Sequence, residues 1–314
     1  MKKVFQNIFR FVGIQQIIDW SRHHSLPGLN GVPVYDVVKF TVFEMKRDSI
    51  LIRAKSVAFS FLVSIFPCII VIFTLIPFIP LPSFQTTLMN IISSIIPLEA
   101  YDLVQNTIKD IINHQNGGLL SISLLLAGFY SARGVLGLMN SFDKALPNFR
   151  KRTGLNKYGI ALKITFMLFI LLVASMLLIL AGQNSIHYIL RKLNYENASS
   201  FYLVSVLKWI IIIMLFYSGI STIYYYGPAT HKRWKFFNAG STIAAFLCLI
   251  ISLLLSSFIN HFGNYNRLYG SIGTLIVLMI WIFYNSLILL VGFELNASID
   301  YNKLQRDSAN DEIE

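Results

Sequence analysis

The chain has 314 residues, of which 55% are hydrophobic and only 13% are charged. The charged share is about half the average for soluble domains, which argues against a soluble globular protein, a disordered chain and a fibrous one. The formal net charge of +11 fits either nucleic-acid binding or the excess of positive residues that orients a membrane protein.

The first 28 residues are basic, and apolar side chains such as Phe5, Phe9 and Trp20 alternate with polar and charged ones. This pattern predicts an amphipathic helix, which either lies at a membrane interface or packs against the rest of the protein. The segment lacks the continuous apolar core of a signal peptide. A Pro- and Gly-rich turn at 26–33 and a second short helix at about 34–49 lead to the first apolar stretch.

Six stretches are long and apolar enough to cross a hydrocarbon layer of about 30 Å as helices. They lie at about 57–81, 118–140, 159–183, 203–226, 238–260 and 269–293. A helix satisfies its own backbone polar groups, so the predicted fold class is an all-α integral membrane bundle of six transmembrane helices.

This reading divides the chain into three parts. Residues 1–55 form an N-terminal cytoplasmic or interfacial helical segment, and residues 56–295 form the transmembrane domain. Residues 296–314 form a cytoplasmic acidic tail, which we expect to be disordered because it is polar and has few large apolar residues. Between the first two spans, residues 82–117 have apolar side chains at helical spacing, which predicts an amphipathic helix at the outer face.

Lys and Arg residues are concentrated on one side of this predicted bundle. Nineteen of the 26 lie before the first span, after the second and fourth spans, or in the tail, whereas four lie on the opposite side. The asymmetry predicts that both termini are cytoplasmic, and it accounts for most of the net charge without a nucleic-acid partner. We expect the anionic headgroups of membrane lipids to be partners of that face.

One arginine falls well inside a span. Arg133 lies about 10 Å from the predicted cytoplasmic end of the second span. Ionisable residues at such depth are expensive and mark functional sites or structural ion pairs. Asp143 and Glu294 lie at the cytoplasmic ends of their predicted helices and are the candidate charge partners. Arg133 is therefore either structural or a contact for an anionic substrate.

Three further residues are substrate-site candidates. Tyr130 and Ser131 adjoin Arg133 and would line a cytoplasm-facing cavity with it. Pro67 lies mid-way along the first span, where it removes a backbone donor and kinks the helix. Kinked helices expose backbone carbonyl groups to a cavity in transporters, but a kink required only for packing is the alternative explanation.

Small residues spaced four apart predict close contacts between helices, at Gly128 with Ala132 and at Gly240 with Ala244. No metal, phosphate-loop or nucleophile motif of the HExxH, GxxxxGK[ST], GxSxG or CxxC kind occurs in the sequence. The two cysteines lie in apolar runs, where buried, inert thiols are typical. We therefore predict that the protein is not an enzyme and holds no cofactor or metal.

Four groups of residues together resemble the YihY/BrkB family of bacterial inner-membrane proteins, in order and spacing over about residues 40–300. They are an Arg-Ala start and a Ser-Ile-Phe-Pro end in segment 53–67, Tyr-Ser-Ala-Arg and Phe-Asp-Lys in 118–144, Tyr-Tyr-Gly-Pro at 225–228, and Leu-Tyr-Gly-Ser-Ile-Gly and Gly-Phe-Glu-Leu-Asn in 268–296. Lys55 and Phe293 depart from the family pattern. The resemblance implies a six-helix protein of a bacterial cytoplasmic membrane. The family carries an old ribonuclease-BN-like label, and roles in transport or in the envelope have been proposed for it.

These observations favour a transporter or lipid-handling membrane protein that takes an anionic small molecule or lipid. The alternative is a non-transporting scaffold or interaction protein, and a homo-oligomer is compatible with either. A membrane-bound nuclease or hydrolase is the third reading, but the clustered acids or histidines that a metal-dependent nuclease needs are missing. A polar cavity that reaches Arg133 would favour transport, and a solid bundle would favour a scaffold.

Overall fold

The structure is a computed structural model that describes residues 12–75, 117–180, 198–261 and 271–311, and the regular elements in these ranges are helices. Two short helices come first, α1 (Val12–His23) and α2 (Val34–Arg47). Six long ones follow: α3 (Ile50–Leu75), α4 (Gly117–Ser141), α5 (Gly154–Leu180), α6 (Ala198–Tyr226), α7 (Ala239–His261) and α8 (Ser271–Asp311).

Each of the six long helices is apolar enough to cross a membrane. The predicted all-α bundle with six spanning helices is therefore confirmed. α3 and α5 begin several residues earlier than predicted, because their more polar first turns are also helical. The amphipathic helix predicted within 82–117 lies outside the described residues.

Each long helix packs against the long helices that precede and follow it in the chain, and α8 packs against α3. The six helices are therefore arranged as a closed ring in chain order. α3 and α4 share the most extensive boundary. It is lined by small polar side chains, among which Ser131 Oγ lies 3.2 Å from Cys68 Sγ and Ser123 Oγ lies 3.3 Å from Thr74 Oγ1. Side chains of this size let two backbones approach closely.

The N-terminal helices and the last turns of α8 lie at the same end of the bundle, which we call the basal end. Ser298 of α8 donates a hydrogen bond to the carbonyl of Val37 in α2, at 2.9 Å. The connections 142–153 and 227–238 lie at this end too, and they are joined by an isolated antiparallel β-bridge within the described residues.

The C-terminal segment differs from the sequence-based expectation. Residues 296–314 are predicted to be a disordered tail, but residues 296–311 continue α8 as a helix that runs to Asp311. Phe40 stacks on Tyr301 with ring centroids 4.7 Å apart, and Arg306 donates to the carbonyl of Gly31 at 3.0 Å. Contacts with the N-terminal segment thus stabilise a polar sequence that lacks enough apolar surface to order itself.

The buried side chains of α5, α6 and α7 are confined to their basal halves. They are Ala161 and Ile164 of α5, residues 219–224 of α6, and five positions within 240–248 of α7. The other described side chains of these helices are partly or fully exposed and mostly apolar, as expected of helix surfaces in lipid. The tightly packed core therefore lies at the basal end.

Five aromatic side chains form the centre of this core. Phe142 stacks on Phe293 with centroids 4.4 Å apart, Tyr224 meets Phe142 edge-on, and Phe149 and Trp234 pack on Phe293. Together they close the space between the basal ends of the helices with apolar surface.

α7 and α8 cross at two glycines. A Cβ atom added to Gly292 would lie 2.8 Å from the carbonyl oxygen of Gly240 and 3.0 Å from the Cβ of Ala244. The close contact predicted from the small residues at 240 and 244 is therefore confirmed. Gly128, by contrast, has no heavy atom within 4 Å of such a Cβ.

Candidate functional site at the basal end

Arg133 lies on the outer face of α4. Its side chain is exposed, and its guanidinium stacks over Phe129 at 5.0 Å from the ring centroid. Residues two apart on a helix point in directions about 200° apart. Arg133 therefore points away from Ser131, which contacts α3, and shares its face with exposed apolar residues such as Leu125 and Leu126.

The other substrate-site candidates lie closer together. Ser131 contacts Cys68, the residue that follows Pro67 in α3. Tyr130 is half-buried and packs edge-on against Phe129. Ser131 thus lies at the boundary of α3 and α4, one residue along the chain from the level of Pro67, and the arginine does not.

The two candidate charge partners of that arginine pair with other cations. Asp143 accepts a hydrogen bond from Lys157, near the start of α5. Glu294 is fully buried, accepts a hydrogen bond from Arg53 at 2.8 Å and lies 2.7 Å from the Nζ of Lys144. Glu294 therefore belongs to a different site from the one predicted.

We call that site the charge cluster. It brings together six ionisable residues from α2, the α2–α3 link, α3, the connection after α4, and α8: Glu44, Arg47, Asp48, Arg53, Lys144 and Glu294. Three carboxylates face three cations, so the formal net charge of the cluster is zero.

Lys144 is the centre of the charge cluster. Its side chain is fully buried, and its Nζ lies 2.8 Å from Glu44 Oε2, 2.5 Å from Asp48 Oδ2 and 2.7 Å from Glu294 Oε2. An ammonium group carries three N–H donors. Glu44 and Asp48 each accept one of them, and Glu294 adds its negative charge at close range.

Two arginines connect this centre to the rim. Arg53 donates to Glu294 at 2.8 Å and to Asp48 at 3.3 Å, while Arg47 donates to Glu44 at 2.8 Å and to Asp48 at 3.2 Å. The Arg47 side chain is 46% exposed, whereas Glu44 and Glu294 are at most 1% exposed. The cluster therefore runs from solvent to the core.

The surroundings keep Lys144 and Asp48 ionised. Burial acts to lower the pKa of Lys144, but its contacts with Asp48, Glu294 and Glu44 together outweigh burial and raise this pKa. Burial acts to raise the pKa of Asp48, but the bonds from Lys144 and Arg47 outweigh it and lower this pKa. Both groups are charged at neutral pH.

We expect the protein to lose stability at both ends of the pH range. The ionised carboxylate of Asp48 contributes to the free energy of unfolding. That contribution is complete above the pKa of Asp in the unfolded chain, about 3.9, and is lost as the pH falls through the lower pKa of Asp48 in the folded protein. The contribution of Lys144 is complete below about pH 10.4 and is lost as the pH rises through its higher folded-state pKa. Thermal unfolding across this range measures both limbs. An Asp48→Asn variant with an unchanged acid limb would contradict the assignment of that limb.

Sequence reasoning missed most of this site. Lys144 was counted as a topology signal, and both it and Arg53 lie in motifs of the family resemblance, but neither was given a role in a site. Glu44 and Asp48 were not singled out. The available signal was the pair of acids placed just before the first span, in a segment otherwise rich in cations. In the described ranges, no three His, Cys, Asp or Glu side chains are arranged to hold a metal ion.

Comparison with known proteins supports the resemblance seen in the motifs. The model of a family described as "Virulence factor BrkB" matches residues 41–313. The ribonuclease-like protein YfkH of Bacillus subtilis (strain 168) is 26% identical over 255 residues, which cover 80% of this chain and 90% of YfkH.

Proteins named UPF0761 membrane proteins are also similar. The one from Aliivibrio salmonicida (strain LFI1238) is 25% identical over 261 residues, covering 81% of this chain and 79% of that protein. The one from Psychromonas ingrahamii (strain DSM 17664 / CCUG 51855 / 37) is 24% identical over 288 residues, covering 87% and 91%. No solved structure shows a significant match. Since the family model covers the six spanning helices and every residue of the charge cluster, the chain is a multi-pass membrane protein that belongs to the BrkB virulence factor family.

Proposed function

We propose that the protein is a transporter or lipid-handling protein of a bacterial cytoplasmic membrane, and that the charge cluster is a lock that holds its basal end closed. The excess of Lys and Arg on the basal side supports a cytoplasmic position for that end.

The single observation that carries the proposal is the buried, charge-balanced cluster between separate helices. A well-packed apolar contact would seal the same space without the desolvation that buried charges require, so ion pairs here are a poor choice for stability alone. Ion pairs can, however, separate and become hydrated when water enters, which suits an element with two arrangements.

The distribution of packing supports the same proposal. The described parts of α5, α6 and α7 are well buried only in their basal halves. A bundle that is sealed mainly at one end corresponds to one state of an alternating-access protein. The outward position of Arg133 favours a lipid phosphate, approached from the bilayer, over a small anion in a central cavity.

We infer no catalytic step. In the described residues, no arrangement of metal-binding side chains accompanies the charge cluster. The ribonuclease-like name belongs to YfkH. The proposal therefore assigns no metal-dependent nuclease site to the described residues.

Cys248 offers a direct test of the lock. Its side chain is only 2% exposed and lies in the basal core, about 14 Å along α7 from the start of that helix. In a Cys68→Ala background, Glu294→Gln should increase the rate at which a membrane-impermeant maleimide labels Cys248 from the basal side. The expected increase is about tenfold for each 1.4 kcal/mol by which the closed state is weakened.

The control is Lys157→Gln, which removes the ion pair with Asp143 near the surface and should leave labelling unchanged. Size-exclusion chromatography of each variant checks that it is folded. A folded Glu294→Gln variant that labels like the parent would refute the lock and favour the scaffold reading.

A further inference from the structure

A second group of charged residues surrounds Tyr226, at the basal end of α6. The Nζ of Lys163 lies 4.3 Å from the ring centroid of Tyr226, and the guanidinium carbon of Arg233 lies 5.5 Å from it. Arg152 donates a hydrogen bond to the carbonyl of Tyr226 at 3.2 Å. We call Arg150, Arg152, Lys163 and Arg233 the basic patch.

Backbone contacts hold the segments that carry this patch. The N–H of Arg150 donates to the carbonyl of Ala229 at 2.7 Å, and the N–H of His231 donates to the carbonyl of Asn148 at 3.0 Å. These bonds join the connection between α4 and α5 to the connection between α6 and α7. The cations therefore lie on a fixed framework.

Arg152 adds to this framework. Its guanidinium also donates to the carbonyls of Gly227 at 2.9 Å and Pro228 at 2.7 Å. The last carbonyls of a helix have no partner within the helix, so Arg152 caps the end of α6. The side chains of Lys163 and Arg233 are exposed beside it.

The two segments that carry the basic patch have no negative charge of their own, and the nearby carboxylate of Asp300 in α8 accepts a hydrogen bond from Asn148 at 2.7 Å. Segments 148–163 and 227–238 contain eight Lys and Arg residues and no Asp or Glu. In the part of the chain that the structure describes, the carboxylate that acts on Arg152 is Asp143, which Lys157 already engages.

The potential in the patch is accordingly positive. Burial lowers the pKa of Arg152, and the neighbouring charges of Arg150 and Arg233 lower this pKa further. The charge cluster described above is neutral as a whole, but the basic patch is not. Topology alone requires cations on this side of the membrane and does not require them to converge on one ring.

We propose that the basic patch binds the phosphate group of an anionic ligand at the basal boundary of α5 and α6. Guanidinium groups bind phosphate oxygens through paired hydrogen bonds, and a lysine ammonium adds a point charge. Exposed Lys163 and Arg233, both beside the ring of Tyr226, would contact the ligand directly, and Arg150 and Arg152 would contribute positive potential. Binding at this patch does not depend on transport or on the lock.

Two phosphate sources are distinguished by titrating the full-length protein in neutral detergent with dihexanoyl phosphatidylglycerol or with inorganic phosphate. Isothermal titration calorimetry measures each dissociation constant. Binding of the lipid alone identifies a headgroup site, and binding of inorganic phosphate as well identifies a site for free phosphate. Binding of neither would overturn the proposal.

Variants separate this site from general attraction to a basic surface. Lys163→Gln combined with Arg233→Gln should raise the dissociation constant at least about tenfold, since charge-assisted hydrogen bonds are lost. The control, Lys232→Gln combined with Lys235→Gln, removes the same charge from exposed residues and should have little effect. Equal weakening by both pairs would overturn the proposal. Unchanged thermal unfolding confirms that each variant is folded, and Arg233→Gln alone replaces the double variant if that one is not.

Discussion

Replacing Lys144 with Met is expected to lower the free energy of unfolding by about 3–5 kcal/mol, because it removes one partner from a buried set of ion pairs. Without the ammonium, Glu44 and Glu294 stay buried and Asp48 mostly so, with only Arg47 and Arg53 to compensate three negative charges. Thermal or denaturant unfolding of the purified protein in detergent measures the loss.

The matched control is Lys157→Met. That lysine pairs with Asp143, whose side chain is 46% exposed, and an ion pair of this kind is worth about 0–1 kcal/mol. Adding Glu294→Gln to Lys144→Met should recover part of the loss, since one uncompensated carboxylate is then neutral. Equal effects of Lys144→Met and Lys157→Met would show that the cluster is not a coupled unit.

Gly292→Ala is expected to destabilise the protein by about 3 kcal/mol, at the upper end of the range for overpacked cores. The added Cβ would lie 2.5 Å from Tyr224 Oη and 2.8 Å from the backbone of Gly240. Tyr224 cannot easily move away, because its buried hydroxyl donates to the carbonyl of Leu289 at 2.7 Å. The two helices would have to separate, and a lowered unfolding temperature would report this.

Gly128→Ala is the control for that variant. Its Cβ would meet no heavy atom within 4 Å, and Ala is a better helix former than Gly by about 1 kcal/mol. Stability should therefore be unchanged or slightly higher. If the two substitutions had the same effect, close packing between α7 and α8 would not be the reason for glycine at 292.

The spanning helices were predictable because the thickness of the bilayer sets how long and how apolar a span must be. Each segment fulfils that requirement through its own sequence, without help from other segments. The charge cluster was not predictable in this way. Arg53 and Glu294 are 241 positions apart, and only the packing of α3 against α8 makes them neighbours. Arg133 was predicted as a site residue because its depth along the predicted span can be estimated from sequence. The direction in which its side chain faces depends instead on which side of α4 is packed.

The helical end of α8 shows the same limit. The composition of residues 301–311 is polar, as the sequence analysis stated. It gives no information about the N-terminal segment against which these residues pack. Order in this segment is a property of the assembled bundle. Local pattern thus predicts which segments are apolar, and tertiary contacts decide which polar segments become ordered.

The order of the cluster along the chain has a consequence for biogenesis. Five of its six members are translated by residue 144, and Glu294 is carried on the last spanning helix. A nascent chain that stops before Glu294 carries three of the cations and two of the carboxylates of the cluster, so one positive charge has no partner. Docking of α8 supplies the missing carboxylate together with the contact between α8 and α3 that completes the closed order of helices. A chain truncated before α8 and a complete one therefore differ by one net charge at this single position.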